Sequence, residues 1–344
     1  MRFGVMVDFR NPPELRRPDE LVYRETLATV RLAEELGYDD IWLSEHHFTP
    51  DGYCPSPLAV AAAIAAQTNK VAIGQALLLL ALHNPLRIAE DGATIDVISG
   101  GRFLLGVGVG YRPKEFDTFG IDIRTRGRRL EEGIAIIDQA WSTGHVDFKG
   151  RHYRFDDVEI RPRPVQQPRP PIWIGGLSQV AVARAARLGD GLLAGGRRAV
   201  RWYVEELERL GRPTDDLQIA GAPQWFFVDH DPERLRDRVE QSLLVFHNTV
   251  VGYFDSGGQA MPMGARPATT AAELVDNSQY VFCTPEECVE RLVDYLADVP
   301  ISRFYILGGL PGLDFDIARA WIELFAREVV PAVRDRVSGA ATPS

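Results

Sequence analysis

The sequence is poor in cysteine and has no long apolar run. Its 344 residues include three cysteines, Cys54, Cys283 and Cys288, without a CxxC spacing. Three thiols are too few to cross-link a chain of this length, so we expect reduced cysteines in a cytoplasmic protein. The apolar stretches, such as Ala76 to Leu82, are far shorter than the roughly 20 residues that a membrane-spanning helix needs. The opening MRFGVMVDF lacks the basic head and cleavage site of a signal peptide, so none is expected.

The chain also lacks an excess of positive charge. It has 38 Lys and Arg residues against 48 Asp and Glu residues, which gives a formal net charge of -10. This balance argues against a general role in binding nucleic acid or an anionic membrane. The content of 45% hydrophobic and 25% charged residues is that of a globular protein with a full core.

Strand-like and helix-like segments alternate along the chain. Strands are predicted over residues 3–9, 40–44, 71–80, 102–109, 171–175, 191–194, 217–228 and 303–307. The later predicted helices include 179–188, 232–245, 285–296 and 315–330. Eight such alternations favour a closed parallel (β/α)8 TIM barrel over an open doubly wound sheet, because crossovers of this length join parallel neighbours and eight strands can close.

Two stretches interrupt the alternation. Residues 143–165 are polar and rich in turn residues, which predicts a hairpin insertion. A second, irregular insertion is expected near 248–282. We therefore expect one TIM-barrel domain over residues 1–335, with these insertions, and a disordered tail over 336–344.

Titratable side chains directly follow the second predicted strand, in the stretch IWLSEHHF. Glu45, His46 and His47 lie at a strand end that faces the catalytic side of such a barrel. A polar cap that bonds to neighbouring loops is the structural alternative, but three titratable groups at this position favour a functional site. Adjacent histidines on a strand point to opposite sides, so His46 and His47 are not expected to bind one metal ion.

Glycine-rich backbone follows the fourth predicted strand, from Gly106 to Tyr111. This GxGxG run lacks the further glycine of the dinucleotide-binding fingerprint. It allows a flat group to approach the bare backbone, while tight barrel packing is the alternative explanation.

The stretch IWIGGLSQ places Gly175 and Gly176 before a predicted helix that Ser178 would cap. Free backbone N–H groups and the positive end of a helix suit a phosphate. Arg128, in the stretch RTRGRR, could supply the cation. Together these features describe a pocket for a flat, phosphorylated cofactor.

The chain resembles the bacterial luciferase-like flavin monooxygenases over nearly its whole length. The blocks that carry the resemblance occur in the family's order: AEELGYDDIWLSEHHF, HNPLRIAEDGATIDVISGGRFLLGVGVGY, EFDTFGID, PPIWIGGLS, CTPEECVERL and FAREVVP. The resemblance implies an eight-stranded barrel that binds reduced FMN as a diffusible cosubstrate. It also implies a separate flavin reductase, the oxygenation of a small organic substrate by O2, and a homodimer.

The resemblance carries roles onto individual residues. His46 matches the catalytic histidine, and Glu45 beside it is assigned to the catalytic group. The peptide bond between Ala76 and Leu77 matches a non-proline cis peptide beneath the flavin, and Arg128 matches a phosphate-contacting arginine. The remaining expected cofactor contacts are Asn84, Gly108, Val109, Gly110, Tyr111, Gly175, Gly176, Leu177 and Ser178.

The sequence departs from luciferase itself at three positions. Gly108 replaces a reactive cysteine, Val109 replaces a second phosphate-side arginine, and Gly175 replaces an acidic residue. Light emission is therefore not expected. Gly-Gly backbone donors could replace the missing side chains at the phosphate.

Two other functions stay open. A sister branch of the superfamily transfers hydride with a deazaflavin cofactor, although its members more often show Asp-His at the second strand tip. A non-catalytic flavin-binding barrel subunit is the alternative from a different class. The organic substrate is not identified, but loops near Asp8, Tyr53, Trp225 and residues 255–270 are expected to contact it.

Overall fold

The computed structural model describes residues 1–194, 196–258, 266–276 and 279–340. Its strands, in chain order, are β1 (Arg2–Met6), β2 (Asp40–Leu43), β3 (Ala72–Gln75), β4 (Phe103–Val107), β5 (His145–Lys149), β6 (Arg154–Glu159), β7 (Ile172–Gly175), β8 (Gly191–Leu193), β9 (Ile219–Ala220), β10 (Trp225–Val228), β11 (Tyr280–Cys283) and β12 (Arg303–Leu307). Eight of them close into a barrel in the order β1-β12-β9-β8-β7-β4-β3-β2, and all neighbouring pairs are parallel. The predicted (β/α)8 architecture is confirmed.

Helices surround the barrel. They are α1 (Asp19–Glu35), α2 (Pro57–Gln67), α3 (Pro85–Ser99), α4 (Pro113–Thr118), α5 (Arg126–Thr143), α6 (Gln179–Leu188), α7 (Arg197–Arg209), α8 (Pro232–Ser256), α9 (Ala271–Asp276), α10 (Pro285–Asp298), α11 (Phe315–Leu324) and α12 (Val330–Ala340). Several begin at side chains that accept a hydrogen bond from the first turn. Asn84 caps α3, Ser178 caps α6, and Thr284 with Glu287 forms a capping box at α10. None of the helices in these described ranges is both long and apolar enough to cross a membrane.

Aromatic side chains fill the interior of the barrel. Trp42 of β2 and Trp173 of β7 are almost fully buried, with ring centroids 6.1 Å apart. Glycines on neighbouring strands make room for them. A Cβ on Gly74 would lie 2.4 Å from the Trp42 ring, and one on Gly191 would lie 2.8 Å from the Trp173 ring. The interior is therefore a packed core with its functional surface at one end.

The predicted elements differ from the structure where chain-breaking residues intervene. The stretch 217–228, predicted as one strand, is two: β9 belongs to the barrel, while β10 pairs with β11. Pro223 lies between them and has no N–H to continue a ladder, which explains the interruption. The predicted strand 71–80 ends at Gln75, and Leu80–Leu82 form a 3-10 turn.

Two helices also differ from prediction. The helix predicted over 232–245 continues to Ser256, so it occupies the start of the expected second insertion. The helix predicted over 315–330 is divided by a π-helical turn at Phe325–Val329. Helix α12 then runs to Ala340, five residues into the expected disordered tail. Residues 341–344 of that tail lie outside the described residues.

The first insertion is an antiparallel hairpin of β5 and β6, as its turn-rich sequence predicts. The carboxylate of Glu132 on α5 accepts hydrogen bonds from the backbone N–H groups of Arg151, His152 and Tyr153. The second insertion contains the end of α8 together with α9 and β11. Residues 259–265 and 277–278 of that insertion lie outside the described residues.

Candidate active site

The carboxyl ends of β3, β4 and β7 meet around the side chain of Leu77. A Cβ on Gly108 would lie 2.4 Å from Leu77 Cδ1, and one on Gly175 would lie 2.2 Å from Leu77 Cδ2. Gly108 and Gly175 therefore lie at the same end of the barrel, on either side of this leucine. Their missing side chains make room for Leu77 itself, so close packing, the alternative explanation for Gly108, accounts for both positions.

The peptide bond between Ala76 and Leu77 is cis, as the resemblance implies. Both residues are partly exposed, and the chain beyond them is held against β4. The N–H of Leu78 donates to the carbonyl of Gly106, and the N–H of Gly108 donates to the carbonyl of Leu78, each at 2.9 Å. This segment therefore forms a fixed floor at the mouth of the barrel.

His46 lies beside this mouth within a ring of tyrosines. The centroid of its imidazole ring lies 4.9, 5.4 and 5.3 Å from the ring centroids of Tyr53, Tyr111 and Tyr253, respectively. The hydroxyl of Tyr111 lies 3.3 Å from His46 Nε2. On the other side of the imidazole, Nδ1 lies 2.9 Å from Oε1 of Glu115. Both ring nitrogens of His46 thus have a polar partner in a largely buried setting.

Glu115 is a residue that sequence reasoning did not single out. It lies on the short helix α4, and its side chain is fully buried. Oε1 also accepts hydrogen bonds from the N–H of His47 at 2.9 Å and from a guanidinium N–H of Arg112 at 3.1 Å. Burial opposes ionisation of the carboxyl, but the hydrogen bonds from His46 and His47 and the charge of Arg112 lower the pKa of Glu115 overall. The available signal was its place in the EFDTFGID block, directly after the glycine run.

Glu45 forms a second buried cluster behind the strand end. Its Oε1 lies 2.7 Å from Nε2 of His47 and 2.6 Å from Nε2 of His83, and its Oε2 accepts the N–H of Leu79 at 2.5 Å. Burial opposes ionisation here too, yet the hydrogen bonds from His47 and His83 lower the pKa of Glu45 to about 2. Burial also opposes the charge on His83, and its hydrogen bond to Glu45 outweighs this and raises its pKa. Glu45 thus joins the end of β2 to the loop that precedes α3.

The Glu45, His47 and His83 side chains are of types that could bind a metal ion, with ligand atoms within 4.8 Å of one another. Ligands arranged tetrahedrally around zinc at about 2.1 Å are separated by roughly 3.4 Å. The O···N distances of 2.6 and 2.7 Å are those of direct hydrogen bonds. The geometry therefore favours a hydrogen-bonded brace.

Charged and aromatic groups from the segment after β1 and from α8 extend the wall near His46. Arg10 forms a two-pronged ion pair with Asp8, and its guanidinium lies 5.0 Å from the ring of Tyr53 and 4.1 Å from that of Phe246. The hydroxyl of Tyr253 donates to Asp51. Further round the mouth, the ring centroids of Trp225 and Tyr305 lie 6.0 Å apart. Asp8, Tyr53 and Trp225, expected near a substrate, thus lie among the groups that line this end of the barrel.

The expected phosphate side is built on the start of α6. The side chain of Ser178 accepts the N–H of Ala181, as predicted, and Leu177 is 57% exposed. Gly176 packs so closely that a Cβ would lie 2.2 Å from that of Ala181. The loop therefore places its backbone N–H groups at a helix N-terminus, which favours an anion.

Helix α5 begins next to α6. A Cβ on Gly127 would lie 3.1 Å from the guanidinium of Arg184, which in turn pairs with Glu131 at 2.9 Å. Arg128 follows Gly127 and is exposed. The cation predicted for the phosphate is therefore on a helix whose first turn lies near Arg184 of α6.

The other expected cofactor residues are placed as follows. Asn84 is exposed and caps α3 by accepting the N–H of Leu86. Val109 is partly buried after β4. Gly110 has a φ of +75° and packs on the ring of Phe116, which favours glycine there. The Tyr111 ring stacks on Phe254 of α8 with centroids 4.9 Å apart.

The chain is a (β/α)8 barrel, and in this class of protein the active site lies at the carboxyl ends of the strands. The buried histidine and the glycine-rich segments lie at that end. The profile of the luciferase-like monooxygenases matches residues 1–302, and the chain belongs to this family. One relative, the uncharacterized protein y4vJ of Sinorhizobium fredii, is 34% identical over 50% of this chain, and the match spans about half (49%) of that protein.

Two other relatives match along their whole length. F420-dependent glucose-6-phosphate dehydrogenase of Microbacterium testaceum is 28% identical, over 98% of both chains. The alkanal monooxygenase alpha chain of Photorhabdus luminescens is 30% identical, also over 98% of both. The chain is thus similar both to a monooxygenase chain and to an F420-dependent dehydrogenase.

Solved structures share the fold. Monooxygenase RslO1 from Streptomyces bottropensis superposes with a TM-score of 0.81 at 23% identity, over 96% of this chain and 99% of that one. The oxygenating constituent of 3,6-diketocamphane monooxygenase from Pseudomonas putida, in complex with FMN, superposes with a TM-score of 0.75 at 18% identity. The match covers 97% of this chain and 98% of that one.

Proposed function

We propose that the protein is an FMN-dependent monooxygenase that uses reduced FMN and O2 to oxygenate a small organic substrate. The observation that carries this proposal is the placement of His46. It lies beside the partly exposed Ala76–Leu77 floor, with one ring nitrogen on Glu115 and the other 3.3 Å from the Tyr111 hydroxyl. The similarity to an alkanal monooxygenase chain along its whole length supports the same reaction class.

The residues present fit a flat, phosphorylated cofactor. The Ala76–Leu77 floor offers an apolar surface for a ring system, beside Val109 and Tyr111 after β4. The backbone N–H groups of Gly176, Leu177 and Ser178 open α6, and a helix N-terminus favours an anion. Arg128 on the adjoining helix would add charge, and Asn84 lies at the start of α3. Reduced FMN bound there would supply the electrons with which O2 is activated.

The chain's own contribution is proton handling and shielding from water. A histidine titrates near neutral pH in its unperturbed state, so this residue type can take up and return a proton during turnover. His46 would do so at Nε2, the nitrogen that faces Tyr111. Tyr53, Tyr111 and Tyr253 surround the imidazole and limit the access of water to it. Glu45 would act indirectly, by bracing the loop that carries the floor.

The proposal includes a separate flavin reductase as partner. The FMN-bound structure that shares the fold is described as an oxygenating constituent, which implies a further component in that system. We also propose a homodimer, as the resemblance in sequence implies, and a location in the cytoplasm, which the few cysteines favour. The organic substrate is a small molecule that reaches the mouth near Asp8, Tyr53 and Trp225. Residues 259–265 of the expected substrate loop lie outside the described residues.

A deazaflavin-dependent hydride transfer is the second candidate, because the F420-dependent dehydrogenase matches 98% of the chain. A non-catalytic flavin-binding subunit is the third. Anaerobic titration with reduced FMN and with reduced F420, followed by fluorescence, distinguishes the first two. We expect the tighter binding for reduced FMN, and product formation from alkanals or ketones when O2 is admitted. Tighter binding of F420 would refute the proposal, and binding without turnover would favour the third candidate.

A further inference from the structure

We propose that Glu115 is a positioning residue that holds neutral His46 in the tautomer protonated at Nδ1, and so turns the Nε2 lone pair toward Tyr111. This inference rests on the proposed function, because it concerns the same histidine. It goes beyond that function in assigning a role to a residue that would touch neither cofactor nor substrate, and in fixing the direction of proton transfer.

The hydrogen bonds around one oxygen determine the tautomer. Oε1 of Glu115 lies 2.9 Å from Nδ1 of His46, and it already accepts N–H groups from the His47 backbone and from Arg112. An ionised carboxylate only accepts hydrogen bonds. The lowered pKa of Glu115 supports its ionised form at neutral pH. Nδ1 of His46 must therefore carry the hydrogen.

The carboxylate is fixed in this orientation. Its side chain is fully buried, and the Arg112 guanidinium that donates to Oε1 also donates to the carbonyl of His47 at 3.1 Å. The same guanidinium lies 4.8 Å from the centre of the Tyr253 ring. Next to Glu115, Phe116 is fully buried and contacts Gly110. Rotation of the carboxylate would break several of these contacts at once.

The consequence appears at the other nitrogen. With hydrogen on Nδ1, Nε2 of His46 is an acceptor, and the Tyr111 hydroxyl 3.3 Å away can donate to it. Burial raises the pKa of Tyr111, which keeps its hydroxyl protonated. Stacking on Phe254 holds the Tyr111 ring in place. The hydrogen bonds therefore run in one direction, from the Tyr111 hydroxyl to Nε2 of His46 and from Nδ1–H of His46 to the Glu115 carboxylate. Proton transfer would follow this direction.

The tautomer can be measured directly by long-range 1H–15N NMR on protein labelled at histidine. Spectra would be recorded at pH 8.5, where an ordinary imidazole is neutral, and the His46 signals assigned by their loss in His46→Gln. We expect the Nδ1–H pattern. A charge-assisted hydrogen bond corresponds to roughly a 10- to 100-fold preference, so the other tautomer should be a minor species. An Nε2–H pattern in the unmodified protein would overturn the proposal.

Two substitutions separate positioning from a structural role. Glu115→Gln keeps an acceptor oxygen opposite the same three donors, so the Nδ1–H tautomer should stay the major form with a reduced preference. Glu115→Met has similar length and no acceptor oxygen, so both tautomers should become visible. Asp117→Asn, an exposed neighbour on α4, removes the same charge and should leave the spectrum unchanged. Identical His46 tautomers in the folded unmodified and Glu115→Met proteins would refute the role. If Glu115→Met does not fold, the unmodified protein and Glu115→Gln still decide the question.

The measurement needs neither cofactor nor substrate, so its result is independent of the proposed reaction. Failure of FMN binding or oxygenation would remove the proposed function and leave the tautomer result standing. If His46 is protonated at Nε2 in a protein that still oxygenates its substrate, the role of Glu115 alone is refuted.

Discussion

Glu45 and His83, 38 residues apart in the chain, meet through Oε1 and Nε2 at 2.6 Å. This contact ties the tip of β2, which carries His46, to the loop that leads from the Ala76–Leu77 floor into α3. Together with the bond from Leu79 N–H, it makes the position of the proposed proton-handling group depend on a buried carboxylate.

That carboxylate should make stability depend on pH. The folded-state pKa of Glu45, about 2, lies below its ordinary value near 4.5, so Glu45 stabilises the fold above pH 4.5 and this contribution is lost as pH falls toward 2. The contribution is about 3 kcal/mol in full, with about 1 kcal/mol lost by pH 4 and about 2 by pH 3. Urea unfolding from pH 7 to pH 3 should show a shallower pH dependence in Glu45→Gln. Exposed Glu14→Gln serves as the control, and equal slopes for Glu45→Gln and the unmodified protein would contradict the prediction.

His46→Ala should leave the fold and reduced-FMN affinity largely intact and slow oxygenation by roughly 100-fold or more, the range for a lost general acid or base. The measurement is product formation under single turnover with the best substrate from a panel of alkanals and ketones. His47→Ala is the comparison. It removes a partner of Glu45, so it should cost less in rate and more in unfolding free energy. An unchanged rate in His46→Ala would make His46 a structural residue.

Arg128→Ala should weaken binding of reduced FMN by roughly 10- to 100-fold, because a charged hydrogen bond is worth about 1.5 to 3 kcal/mol. Arg124→Ala offers a matched control, since Arg124 lies on the same segment and is also exposed, but pairs with Asp122. Both affinities come from anaerobic fluorescence titration. Equal losses in the two variants would indicate a general electrostatic effect and place the phosphate elsewhere.

Gly74→Ala should destabilise the barrel by about 1 to 3 kcal/mol, because the new methyl group would meet the Trp42 ring at 2.4 Å. Gly252→Ala is the contrasting change. Gly252 lies in α8, and among the described residues a methyl group on it would project into open space. Alanine there should therefore be neutral or stabilising by up to about 1 kcal/mol. Denaturant unfolding of both variants measures the change in unfolding free energy and so tests both predictions. A stable Gly74→Ala protein would show that the two tryptophans can shift.

The barrel was predictable because its signals are local. Alternating apolar segments, glycines and prolines mark each unit within a few residues, and the Glu-His-His tip follows its strand directly. The predicted strand 217–228 is correct in order but not in extent, because Pro223 interrupts the ladder between β9 and β10. The length of α8 was missed because its later turns, with Tyr253 and Phe254, pack on the mouth and are held by tertiary contacts.

The hydrogen bond between His46 and Glu115 could not be predicted from the sequence. Glu115 lies 69 residues from His46, and no periodicity links the two. The same holds for His83 and Glu45, which meet because two loops converge at one end of the barrel. Resemblance supplied the cis peptide bond, which no local pattern indicates. Residue types at strand ends thus identify the site, while the hydrogen bonds that orient it require the folded chain.

The two interior tryptophans limit how molecules can enter and leave the site. Because Trp42 and Trp173 close the barrel from within, a molecule that reaches His46 has to arrive and depart through the same opening. A large planar cofactor and a small substrate would then obstruct one another, and whichever lies deeper has to be first in and last out. If cofactor and substrate both bind at this mouth, as we propose, the packing of the core would thereby set the order in which they bind and leave.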